Sequence, residues 1–170
     1  MKKNLPITLF LIAELSVLTF ILTTASSLPA MVASHFNAAG MPNDYMSRQS
    51  YLGFMLAFTV AIPCIVAASL AFIDRIPAKY INLPNKQVWL AAPYRESTFA
   101  YLKAHGLGMG ALIAIFLGYV HGLVIQANRS VPPQLSSGAI IGGLVVFVGI
   151  AIGWSILLPL KFMRLPKTGQ

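Results

Sequence analysis

Four stretches of this chain, residues 5–28, 50–73, 99–126 and 137–162, are apolar over at least the roughly 20 residues that carry a helix across a hydrocarbon core. No other feature limits the fold as strongly. With 57% hydrophobic and only 9% charged residues, the chain lacks the polar groups to keep an ordinary globular surface wet. The expected architecture is an all-α integral membrane protein, a single four-helix transmembrane domain over residues 1–170, with the lipid bilayer as its solvent and first partner.

The formal net charge is +8, and its distribution says more than its sum. Lys2 and Lys3 precede the first span. Arg75, Lys79, Lys86, Arg95 and Lys103 lie in or beside the loop joining spans two and three, and Lys161, Arg164 and Lys167 follow the fourth. Only Arg48 and Arg129 occupy the other two loops. Under the positive-inside rule both termini and loop 74–98 are cytoplasmic, and loop 28–49 faces outward. Basic flanks of this kind attract anionic headgroups, which accounts for the high pI without nucleic acid as a partner. The opening run resembles a secretory signal, with two lysines, an apolar stretch and small residues. Its length favours a retained first helix. The lone Cys64 allows neither an intrachain disulfide nor a multi-cysteine metal site.

Between the spans the chain changes character. The outer stretch "SLPAMVASHFNAAGMPNDYMSRQS" has Pro29, Gly40 and Pro42 to break helix, with Asp44 or Ser47 placed to cap the second span. Pro63 suggests a kink in that span. Pro77 and Pro84 interrupt the basic loop, whose Tyr80, Trp89 and Tyr94 suit the headgroup level. Pro93 is placed to start the third helix before it reaches lipid. Glycines recur at four-residue spacing in the last two spans (Gly106 with Gly110, Gly118 with Gly122, Gly138 with Gly142, Gly149 with Gly153), so a tight hairpin of those spans or an oligomer face is expected. Asn128-Arg129-Ser130 matches a glycosylation acceptor if the host glycosylates.

Few residues are suited to chemistry. Glu14 sits roughly 13 Å along the first helix, too deep to face lipid cheaply, and should point inward. His105, counted from Phe99, falls at a similar depth, so Glu14 and His105 form a candidate proton site, with simple neutralisation of a buried acid as the plainer reading. His35, His121 and Asp44 share the outer end and are weak candidates for a metal group. The plainer reading has His35 and Asn37 satisfying loop carbonyls and Asp44 capping a helix. His105 and His121 are sixteen residues apart, which turns them to nearly opposite helix faces at ~100° per residue. Neither a nucleophilic triad nor a phosphate-cradling glycine loop nor a paired-carboxylate site is present in the pattern, so no enzyme activity and no cofactor is expected.

"LPAMVASHFNAAGMPNDY" resembles the signature of an uncharacterised bacterial membrane-protein family, roughly L-P-x-x-[IV]-P-x-H-[FW]-N-x-x-G-x-P-D. That domain also forms the N-terminal part of SdpI-type toxin-immunity proteins. "INLPNKQVWLAAPYRE" is similar to a second signature, approximately N-[IL]-P-N-K-x-x-W-x, in the family's next loop. The matching positions are Leu28, Pro29, His35, Phe36, Asn37, Gly40 and Pro42 in the first loop and Asn82, Pro84, Asn85, Lys86 and Trp89 in the second. Ala33 stands where the family has proline, and Asn43 is inserted, displacing Asp44 by one. The resemblance implies a bacterial inner (cytoplasmic) membrane and an immunity-like role.

Within the first loop, Gly40 and Pro42 predict a tight turn, held by His35, Asn37 and Asp44 and seated on the interface by Phe36 and Tyr45. The leading expectation is a non-enzymatic protein that recognises a partner protein or peptide through His35, Phe36, Asn37, Gly40, Pro42 and Asp44 outside and Asn82, Pro84, Asn85, Lys86 and Trp89 inside. The alternatives are an accessory subunit of a larger membrane complex, with homo-oligomerisation through the glycine faces, and a small proton-linked transporter using Glu14 and His105.

Overall fold

The computed structural model describes residues 4–166, so Lys2, Lys3 and Lys167 lie outside the described residues. Four helices are long and apolar enough to cross a membrane. They are α1 (Leu5–Thr24), α2 (Arg48–Ala71), α4 (Ala92–Asn128) and α5 (Ser137–Met163), with a single-turn α3 (Lys86–Trp89) in the loop before α4. The expected spans are all present. The protein is mostly helical, as a four-span membrane protein requires, with one departure: the first loop is a β-hairpin, β1 (Met31–Phe36) and β2 (Pro42–Ser47).

Start signals act where the residue types place them. Ser47 rather than Asp44 caps α2, its Oγ accepting the Ser50 N–H at 3.1 Å. Ser136 caps α5 in the same way. Pro93 occupies the first turn of α4, where its missing N–H costs nothing. The helix therefore starts well before the third apolar stretch and runs for 37 residues.

The core is a three-helix arrangement with α4 at its centre. Gly106, Gly110, Ala114 and Gly118, four residues apart, present one nearly bare face of α4 and are buried. Phe10 of α1 and Pro63 of α2 close on Gly110, where an added Cβ would lie 2.9 Å from the Phe10 ring and 2.8 Å from the Pro63 carbonyl oxygen. Val17 closes on Gly118 and Leu70 on Gly106. Helix α1 thus runs parallel to α4, and α2 antiparallel to it. In lipid, helices associate through close packing rather than hydrophobic expulsion, and small residues permit the approach.

This corrects the expected use of the glycines. The tight packing joins the third span to the first and second, not to the fourth. Helix α5 lies on α4 through larger groups: Trp154 over Gly108, Tyr119 over Gly143, and stacked Phe116 and Phe147 at 4.3 Å. Gly138, Gly142, Gly149 and Gly153 have open space where a Cβ would stand. No residue of α5 is buried except Phe162 at its end.

The charges separate as the sequence implied. Arg75, Lys79, Lys86, Arg95, Lys103, Lys161 and Arg164 gather at one end, and the hairpin with Arg48 marks the other. At the basic end Ile73, Ile81, Leu83, Phe99, Leu102 and Phe162 form a second apolar cluster that roofs the bundle.

Candidate functional site

The hairpin is built around Asn37. Its side-chain Oδ1 accepts the N–H groups of Ala39 and Met41, both at 3.0 Å, and its backbone closes onto Gly40 and Met41. Gly40 then adopts a left-handed φ of +76°, a region that costs an L side chain about 1–2 kcal/mol. The glycine is needed for a second reason. Its carbonyl accepts the Leu135 N–H at 2.9 Å, and a Cβ at Gly40 would collide with the Leu135 carbonyl oxygen. The turn is therefore docked on the loop joining α4 and α5, where Ser137 also donates to the Ala38 carbonyl.

The base of the hairpin is clamped as firmly. The Asn128 side chain acts as a third strand one residue long: Ala33 N–H donates to its Oδ1 at 2.8 Å, and its Nδ2 donates to the Ala33 carbonyl at 3.0 Å. Ala33 replaces the proline of the related signature, and here its N–H is used. Asn128 Nδ2 also bonds the Val124 carbonyl, so the amide that a glycan would modify is fully engaged. Arg48 holds the Leu28 carbonyl. The inserted Asn43 has no cross-strand partner: register passes from Phe36 opposite Pro42 to His35 opposite Asp44, a bulge that absorbs the extra residue.

His35 and Asp44 do not hold the turn as expected. Their side chains are 62% and 72% exposed and face each other at 3.9 Å, beyond hydrogen-bond range. Asp44 bonds its neighbouring N–H at Tyr45, and His35 lies 3.1 Å from the Ser34 hydroxyl. With exposed Met31, Met41 and Tyr45 they form an outward-facing patch on a fixed scaffold. Phe36 is half-buried.

His121 belongs elsewhere. It is completely buried beneath the hairpin, with Tyr51 Oη 2.9 Å from Nδ1 and Thr24 Oγ1 3.0 Å from Nε2. Phe20 meets it edge-on and Tyr51 stacks on it. Both ring nitrogens are occupied, so His121 cannot join His35 and Asp44 in a metal group. Among the described residues no three histidine, cysteine, aspartate or glutamate side chains converge. The His121–Tyr51–Thr24 group ties α4, α2 and α1 together at the hairpin end, a role the sequence did not disclose because its partners lie 70 and 97 residues away.

Deeper in the bundle, Glu14 is buried with both carboxyl oxygens unpartnered, and Thr59 Oγ1 is equally enclosed and unpartnered. Glu14 lies between Phe10 and Val17, hence level with Ala114, and Thr59 is one turn of α2 above Pro63 at the same height. His105 is not its partner. It sits about two turns nearer the basic end and turns toward α5, stacked on Trp154 at 5.0 Å, whose Nε1 donates to the His105 carbonyl. The expected Glu14–His105 pair is not formed: Glu14 and Thr59 are each enclosed without a partner at the same level of the bundle.

The second motif performs a structural task. Asn85 adopts a left-handed φ of 52° and its Nδ2 donates to the carbonyls of Phe162 and Met163 at 3.1 Å. Trp89 Nε1 donates to the same Phe162 carbonyl at 3.0 Å. These are among the last carbonyls of α5, which have no partner within the helix. Lys86 reaches the carbonyls of Lys79 and Ile81, Pro84 is half-buried at the turn, and Asn82 stays exposed.

Residues 11–61, covering most of α1, the hairpin and the first half of α2, match a domain of unknown function (DUF1648). No curated protein matches the chain. No solved structure matches it either.

Proposed function

We propose that this is a non-enzymatic integral membrane protein that recognises a protein or peptide partner through the outward patch of its hairpin. One observation carries the reading. The hairpin is pinned by Asn37, Asn128, Gly40 and Arg48 through bonds that leave His35, Asp44, Met31, Met41 and Tyr45 on display. A preformed surface with rigid backbone and exposed aromatic, thioether and ionisable groups loses little entropy on binding. The likeness of both loops to the family shared with SdpI-type immunity proteins supports an immunity-like role in a bacterial inner membrane, with the hairpin outside and the basic loop in the cytoplasm.

The test uses His35→Ala/Asp44→Ala/Tyr45→Ala, which leaves every clamp intact. The full-length variant should keep its thermal melting temperature in detergent and lose the proteins that co-purify with the parent from its native membrane. Undiminished co-purification would remove the reading. Labelling of Ala38→Cys in intact cells by an impermeant thiol reagent checks the orientation, and reaction only after lysis would reverse it.

A second reading rests on Glu14. An intramembrane carboxyl in the bundle interior marks a proton or ion path by default, because a charge at the centre of a span costs roughly 2.5–3.5 kcal/mol. Glu14, buried and without a partner, is the residue on which proton-linked transport would depend. In reconstituted vesicles Glu14→Gln should abolish pH-driven flux under this reading, and equal flux in parent and variant would end it.

A further inference from the structure

On the basic end of the bundle, helices α1 and α5 flank α4 without closing on each other. The gap is an apolar groove of about 270 Å³, lined by Leu9, Phe10, Ala104, His105, Ala111 and Trp154 among others. Tyr101 and Leu157 belong to this groove and also to a second hollow that opens at the end of α5. That second hollow carries Lys161 and Arg164 beside Trp89. The two therefore share a wall, and a hydrocarbon slot adjoins a cationic, aromatic mouth at the end of α5.

The mouth is organised. The Lys161 ammonium lies 5.4 Å from the centre of the Tyr101 ring and 6.0 Å from that of Trp89, a weak attraction that favours this position and leaves its N–H donors free. Trp89 is itself held by its bond to the Phe162 carbonyl. Among the described residues neither Lys161 nor Arg164 has a carboxylate partner; the one lysine that does is Lys103, 2.9 Å from Asp74. Two cations uncompensated by acid, next to an apolar slot, match a phosphate diester joined to hydrocarbon.

We propose that this groove binds one anionic phospholipid from the leaflet at the basic end, with its phosphate between Lys161 and Arg164 and one acyl chain between α1 and α5. Bulk lipid would fill the same slot without regard to headgroup. The specific site differs in requiring both halves at once. Basic pockets between spans are a recognised form of headgroup site, each cation near the surface contributing enough that removing two lowers affinity on the order of thirty-fold.

The experiment is native mass spectrometry of the purified full-length protein in a neutral detergent, titrated with phosphatidylglycerol or with phosphatidylcholine of identical chains. Expected is one phosphatidylglycerol retained in preference to phosphatidylcholine, with the preference lost in Lys161→Gln/Arg164→Gln and binding of either lipid weakened in Ala111→Phe, which fills the slot. Short-chain phosphatidylglycerol should bind weakly, and glycerol phosphate should not displace the long-chain lipid; these two arms stand even if Ala111→Phe fails to fold. Equal retention of the two lipids, or a preference that survives the loss of both cations, would reduce the groove to annular lipid and overturn the proposal. Displacement by glycerol phosphate alone would overturn it in favour of a free phosphoryl ligand.

Discussion

The two loops that carry family-like motifs use them in opposite ways. In the hairpin, the motif residues that make the fold are Asn37 and Gly40, while His35 and Asp44 are left displayed. In the basic loop the motif is directed inward, with Asn85 and Trp89 closing the end of α5 and Lys86 bonding the loop's own carbonyls. Similar residue types, asparagine beside proline and an aromatic, thus serve display at one end of the bundle and capping at the other. Which residues of a motif are left exposed is decided by where the unsatisfied backbone groups are. At the basic end the terminal carbonyls of α5 need donors, whereas in the hairpin Asn37 satisfies the turn and Asn128, a residue outside the motif, satisfies Ala33 at its base.

The contrast can be broken most severely at Gly40. Gly40→Val forces a branched side chain into left-handed backbone and against the Leu135 carbonyl, and should detach the turn from the α4–α5 loop. We expect a loss of about 2–4 kcal/mol, combining αL strain with a lost hydrogen bond. It would be read as a lower melting temperature in detergent together with rapid proteolysis within residues 37–42.

Asn128→Ala comes next. It strands the N–H and C=O of buried Ala33 and should cost roughly 1–3 kcal/mol. If the hairpin's amide exchange is unchanged in this variant, the clamp is elsewhere and the contrast between the loops loses its physical basis.

The basic loop is sharpened by a pair. Asn85→Gly keeps the left-handed backbone but removes both bonds to α5; Asn85→Ala loses the bonds and also strains the turn. The alanine variant should be the less stable by about 1 kcal/mol, the αL penalty alone. Equal melting temperatures would show that the loop does not hold this conformation.

Much of this architecture was legible before any coordinates. The spans follow from apolar length, the first turn of α4 from Pro93, the tight turn from Gly40 and Pro42, and of the three side chains expected to hold that turn only Asn37 does so. The strands were not, because β1 and β2 are short, bulged twice and without clear alternation, and their third partner is an asparagine side chain 95 residues further on. The sequence turns Glu14 inward, as the structure has it, but the structure does not place His105 at its level. Counting depth from Phe99 misplaced His105, since α4 begins at Ala92 and its register against α1 is fixed by Phe10 on Gly110 and Val17 on Gly118, contacts that no local pattern encodes. The glycine pairs signal close packing, but the expected hairpin of the last two spans is not where it occurs: α1 and α2 arrive instead. That choice depends on Phe10, Val17 and Pro63 filling the notches, and on α5 offering Trp154 and Tyr119 instead.

The smallest expected effect is the most informative for function. His35→Ala, Asp44→Ala and Asn82→Ala each remove an exposed side chain with no structural partner beyond its immediate neighbours, so each should alter stability by no more than about 0.5 kcal/mol. For Asn82 the reading predicts no change in partner binding either, because the basic loop's work is done by Asn85 and Trp89. For His35 and Asp44 it predicts a loss of binding at unchanged stability. A single binding measurement on the three variants, with melting temperature as the control, therefore separates display from capping. If Asn82→Ala alone weakens the partner, the recognising surface lies on the basic end and the assignment of roles to the two loops is inverted.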